Sequence, residues 1–243
     1  MGSARLSRNS GSPDILVAVV VLATALLLTA SRGGSLSTLF GLLVFVAASR
    51  RAGALPRRYV AGLTAFFGLA GVLVFVLSGE HLAKRLEHLD PASEARTTVY
   101  TLIVEAIGDA PLLGTGYGTF PDVFPLYRDA SVEGTMRWQK AHNTYLENAL
   151  ELGLPAATAL CLAIAACAMT CWRGLRRRRR NRVYPMVGLA ATATVAAHAT
   201  VDFSLQIPAI GIAYAFLLGI ACAQSFSSQA GTKGTEPPST SAA

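Results

Sequence analysis

The sequence predicts an all-α, polytopic integral membrane protein of about six transmembrane helices with one large helical loop on the outer side. Three observations predict it. Hydrophobic residues make up 52% of the 243-residue chain and charged residues only 14%, with a mean hydropathy of +0.45, too apolar for an ordinary soluble domain. The apolar residues come in blocks of roughly the ~20 residues needed to cross a hydrocarbon core as a helix. The arginines gather in two of the short gaps between blocks, as cytoplasmic loops do.

Residues 1–14 are polar and carry Arg5 and Arg8, which place the N-terminus inside; they lack the pattern of a cleaved signal peptide. The first three spans fill 15–78, with apolar runs at 15–31, 35–49 and 59–78; the first two are short and also read as one broken helical hairpin. Arg50, Arg51, Arg57 and Arg58 follow the second run, and Arg173, Arg176 to Arg180 and Arg182 separate the fourth (154–172) from the fifth (183–201). With both gaps inside, residues 31–34, 79–153 and 202–205 are outside. The sixth run, 206–224, completes a second membrane block over 154–224, and the polar tail 225–243 is predicted to be disordered and cytoplasmic. The formal net charge of +7 is thus mostly topology, not nucleic-acid binding: the outer loop holds eleven acidic residues against six Lys and Arg. Cys161, Cys167, Cys171 and Cys222 all lie in or beside spans and read as small core residues, with neither disulfide nor zinc-site spacing.

The outer loop, 79–153, is too long and too patterned to be a mere connector. Residues 81–89 set Leu82, Leu86 and Leu89 on one helical face, as in an interfacial helix ended by Pro91. A second helix is predicted over 93–108; Arg96 near its start opposes the helix dipole and so answers to something else. In "PLLGTGYGTF", 111–120, the alternation of Gly114, Gly116 and Gly118 reads either as a tight turn or as a backbone cradle for an anion. A third helix is predicted over 136–152, stopping at Gly153, with Asn143 and Glu147 spaced to hydrogen-bond along one face. His142 on it is either a packed surface residue or, close to the outer bilayer face, a group that takes a proton from a hydroxyl near neutral pH. Arg32, on the side that the charge rule disfavours, either snorkels or meets an anionic ligand. His198 and Asp202, four apart, read as a hydrogen-bonded pair.

Four stretches in order, "LTASRGG" (28–34), Arg96, "PLLGTGYGTF" (111–120) and "AHNTYLENALELGLPA" (141–156), with "HATVDF" (198–203) as a softer match, resemble the O-antigen ligase and O-antigen polymerase (Wzy-type) family of bacterial membrane glycosyltransferases. The likeness runs from about 28 to 220. It implies a helical fold related to the C-type glycosyltransferases, in the bacterial inner membrane with its active side in the periplasm. It implies transfer of a glycan from undecaprenyl diphosphate to lipid A core or to another lipid-linked repeat, with no cofactor and no metal. Arg32 and Arg96 match the positions that hold the donor diphosphate, and His142 matches the histidine that assists the acceptor hydroxyl. Gly114, Gly116, Asn143 and Asp202 are candidate supporting residues. Family members are about twice as long, so the chain is expected to correspond to a C-terminal half. A second reading follows: a fragment inactive without a partner chain that supplies further spans.

Overall fold

The computed structural model describes residues 13–29, 31–53, 56, 58, 61–62, 65, 91–128, 132, 138–178 and 181–226. All regular structure among them is helical. The predicted inner N-terminus before Pro13, nearly all of the third apolar run (59–78), the 81–89 helix and the tail beyond Phe226 lie outside the described residues.

Helix α1 spans Pro13–Leu28 and α2 spans Arg32–Ala52, joined by a short turn, so the first two apolar runs are two separate helices. The side-chain oxygen of Ser31 caps α2 by accepting from Gly34 N–H, which starts the helix at Arg32 and puts that arginine in its first turn. Helix α3, Pro91–Asp109, matches the predicted second loop helix. After it come a one-turn helix α4, Phe120–Val123, and a 3-10 turn, Phe124–Leu126. Helix α5 runs Thr144–Arg177, α6 Val183–His198 and α7 Pro208–Ala223, with a 3-10 turn at Ser204–Gln206 between the last two.

Of these, α2 and α5 are long and apolar enough to cross a membrane, while α6, α7 and the described part of α1 are shorter apolar helices. The bundle is built on small residues. Helix α2 packs along α6, and a Cβ added to Gly41 would sit 1.8 Å from Thr194 Oγ1, so only glycine permits this approach. Ser35, Ser37 and Ser49 are buried on the same helix. Small and hydroxyl residues allow the close backbone contact that drives helix association where lipid removes the hydrophobic incentive.

Helix α3, the segment after it and the start of α5 have a core of their own. Val99, Leu102, Ile103, Ala106 and Ile107 from α3 pack with Phe120, Phe124, Ala141, Ala149 and Leu150. The rings of Phe120 and Phe124 stack at 5.1 Å. Helix α5 therefore serves two cores, its first turns in this module and its remainder in the apolar bundle.

The two regions meet at a break in α5. Gly153, predicted to stop a helix, instead takes φ 77°, ψ 160°, and the chain resumes as helix through Pro155. The break frees the carbonyls of Leu150 and Glu151, and the glycine-rich stretch supplies their donors. Thr115 N–H donates to Leu150 O at 2.9 Å and Gly116 N–H to Glu151 O at 2.9 Å, while Leu154 N–H donates to Pro111 O at 2.8 Å. A Cβ on Gly114 would lie 2.4 Å from Gly153 N, and one on Gly153 would lie 2.3 Å from Leu112 O. Both glycines also have positive φ, so backbone sterics and packing demand glycine at both. In this structure the glycine stretch is a packed turn.

Candidate functional site

The third loop helix differs from expectation at its start. Helix α5 begins at Thr144 rather than 136, and residues Trp138–Asn143 form an extended strap leading into it. The reason is the cap. Asn143 Oδ1 accepts from the N–H groups of Tyr145 and Leu146, the bonding of an N-cap. Asn143 is thus spent on the helix end, and Glu147 turns elsewhere: its Oε1 meets Lys140 Nζ at 2.9 Å and its Oε2 accepts Ala141 N–H at 2.7 Å. One turn on, Glu151 Oε1 accepts Phe120 N–H at 3.0 Å. Both carboxylates are buried. Burial pushes the Glu147 carboxyl above its usual range against the pull of Lys140. Burial is the largest influence on the Lys140 ammonium and pulls it down, but the hydrogen bond to Glu147 and the charges of Glu147 and Glu151 together outweigh it and raise the lysine.

Held this way on one side and capped on the other, His142 adopts φ 53°, a left-handed backbone that a side chain other than glycine rarely takes. Tyr100 of α3 donates its hydroxyl to His142 O at 2.9 Å. The imidazole packs edge-on against Phe203, with ring centroids 5.1 Å apart, and against Trp138 at 5.9 Å. Its Nδ1 lies 3.8 Å from Asp202 Oδ1. The far oxygen of that carboxylate, Oδ2, lies 3.5 Å from His198 Nε2, and His198 Nδ1 lies 2.7 Å from Ser204 Oγ. Asp202 is itself fixed, Oδ1 accepting Phe203 N–H at 2.8 Å.

The end of α6 is laced to the start of α5. Asn143 Nδ2 donates to Thr200 O, Thr144 Oγ1 to Asp202 O, Thr144 N–H to Ala199 O and Tyr145 OH to Ala196 O. The predicted His198–Asp202 neighbourhood and the predicted His142 thus form one cluster.

Arg32 belongs to the same neighbourhood through its helix. A Cβ on Gly33 would meet Val201 Cγ2 at 2.9 Å and the His198 ring at 4.0 Å, so the first turn of α2 abuts the cluster. Arg32 is half-buried. Arg96 lies in α3 one turn before Tyr100, the residue that reaches the His142 carbonyl. Gly114 and Gly116 are apart from these, at the α5 break, on the order of 13 Å along the helix from Asn143. Sequence reading missed Tyr100, Phe203 and Ser204: a lone tyrosine on an apolar helix face and a serine after an aspartate carry no local signal. It also took Glu147 for a helix-surface residue. Among the described residues no three His, Cys, Asp or Glu side chains gather to hold a metal ion.

An imidazole beside a fixed carboxylate, half exposed, at one end of an apolar bundle can accept a proton from a bound hydroxyl. Searches of curated proteins and of solved structures find no match. The O-antigen ligase family model matches residues 17–161, more than half of the chain, a stretch that takes in Arg32, Arg96 and His142. On that match, the chain belongs to the O-antigen ligase family.

Proposed function

We propose that the chain transfers a glycan from undecaprenyl diphosphate to a sugar hydroxyl, on lipid A core or on another lipid-linked repeat, at the periplasmic face of the bacterial inner membrane. The observation that carries this reading is the pairing of His142 with Asp202 beside the first turn of α2, the turn that carries Arg32. Asp202 holds Nδ1–H of His142 and leaves Nε2 to take the acceptor proton. The acceptor oxygen bonds to the anomeric carbon, the bond from that carbon to the diphosphate oxygen breaks, and its electron pair leaves on the diphosphate.

Charge builds on the leaving group, and Arg32 and Arg96 supply fixed cations for it, stabilising the transition state more than the ground state. The position of Arg32 supports this. A cation in the first turn of a helix opposes the macrodipole, and α2 has no acidic residue there to offset it. A bound diphosphate would favour both the guanidinium and the positive helix end.

The test is transfer in membranes holding only this chain, with His142→Ala beside the wild type. Transfer that disappears in the variant supports the reading; transfer that persists refutes the role of His142. No transfer from inserted wild-type chain would mean that further spans from a partner are needed.

A further inference from the structure

Ser204 and His198 extend the cluster beyond what transfer by His142 and Asp202 alone requires, and both lie outside the family match. Donor–acceptor accounting orders the protons along this chain of groups. An ionised carboxylate only accepts, so the His198 nitrogen that faces Asp202, Nε2, carries the ring proton, and Nδ1 then accepts the Ser204 hydroxyl across 2.7 Å. The Nε2–H faces Asp202 Oδ2 at 3.5 Å. Oδ1 of the same carboxylate accepts Phe203 N–H at 2.8 Å and faces His142 Nδ1 at 3.8 Å.

We infer that His198 is a positioning residue: anchored by Ser204, it holds one oxygen of Asp202 so that the other holds His142 in the tautomer and orientation of a base. This rests on the reading of His142 as the base. The ring is only 18% exposed on its side chain, and Ser204 anchors it through Nδ1. Among the described residues, the other ionisable groups near the cluster are Arg32 on the first turn of α2, Tyr100, which reaches the His142 carbonyl, Tyr145, whose hydroxyl donates to Ala196 O, and Lys140, which is paired with Glu147.

The test compares His198→Leu with His198→Gln, whose amide nitrogen replaces the Nε2 donor. Two readouts are used: transfer kinetics with an undecaprenyl-diphosphate glycan, and the titration of His142 by NMR of histidine-labelled protein in nanodiscs, assigned with His142→Ala. In His198→Leu, kcat is expected to fall about 10-fold or more, the scale of a lost hydrogen bond to a charged group. KM for the donor is expected to stay the same. The His142 titration and the acid limb of kcat/KM should both move to higher pH, because Asp202 charge no longer shared with His198 falls on His142. His198→Gln should stay within about 3-fold of wild type. An unmoved His142 titration in His198→Leu overturns the inference. So does equal loss in both variants, which would make the ring a structural wedge. If His142→Ala still transfers glycan, the base reading fails, while the NMR titration still decides whether His198 controls His142.

Discussion

Glu147 offers the sharpest test of how the strap is held. Replacing it with Leu keeps an apolar volume of similar size and removes the carboxylate. Ala141 is fully buried, and its N–H would lose the acceptor 2.7 Å away. An orphaned buried donor costs roughly 1–3 kcal/mol. Lys140 loses its partner too, but with 30% of its side chain exposed it rehydrates, so its share is at most about 1 kcal/mol. Against this, the carboxylate itself is costly to bury, as its raised pKa records, and the variant escapes that cost. The balance is about 2 kcal/mol, equivalent to about 30-fold faster opening of the strap at 1.4 kcal/mol per factor of ten. Hydrogen exchange at the Ala141 amide, measured in nanodiscs, reads this directly. Exchange within about 2-fold of wild type would refute the account. Exchange raised equally throughout α3 and α5 would also refute it, since the whole module rather than the strap would then have loosened.

Tyr100→Phe removes the hydrogen bond to the His142 carbonyl, worth about 1 kcal/mol; transfer should fall several-fold with insertion unchanged. Gly153→Ala and Gly114→Ala should each detach the 111–120 segment and be read as new protease cleavage there, whereas Gly118→Ala, also at positive φ but with open space around it, should cost only about 1 kcal/mol in thermal stability and stay uncleaved. Arg32→Ala should raise KM for the donor or abolish its use, with Arg32→Lys a partial rescue because an ammonium lacks the planar fork; full activity in Arg32→Ala would remove Arg32 from the diphosphate site. Because Lys140 is raised in the folded protein, the stability it contributes is complete below the unfolded lysine value of about 10.4 and is lost as pH rises from there through its higher folded value. Trp138 fluorescence in a Trp172→Phe background should therefore show an alkaline transition that Lys140→Met lacks.

The helices and the cluster were not equally legible in the sequence. Helix α3 was readable because Val99, Leu102, Ile103 and Ala106 repeat at helical spacing, and the apolar runs announced the bundle. His198 and Asp202 were readable as a pair because four residues apart is a contact within one stretch of chain. The left-handed backbone at His142 was not, since it follows from Glu147, Asn143 and Tyr100 pulling on different atoms of one short segment. The sequence paired Glu147 with Asn143 along one helix face, because nothing local reveals the N–H groups of Ala141 and Phe120 from which Glu147 and Glu151 accept. Those partners exist only once α3 and the 111–120 turn have packed on α5.

The splint at Gly153 bears on how the chain is made. Residues 111–120 precede α5, so the donors for its broken turn are synthesised before α5 itself. Residues 154–177 can then partition into lipid while 144–152 are caught by waiting backbone amides and held out of it. The place where α5 breaks is thereby set by a turn translated some forty residues earlier, and a chain altered at that turn should break α5 elsewhere.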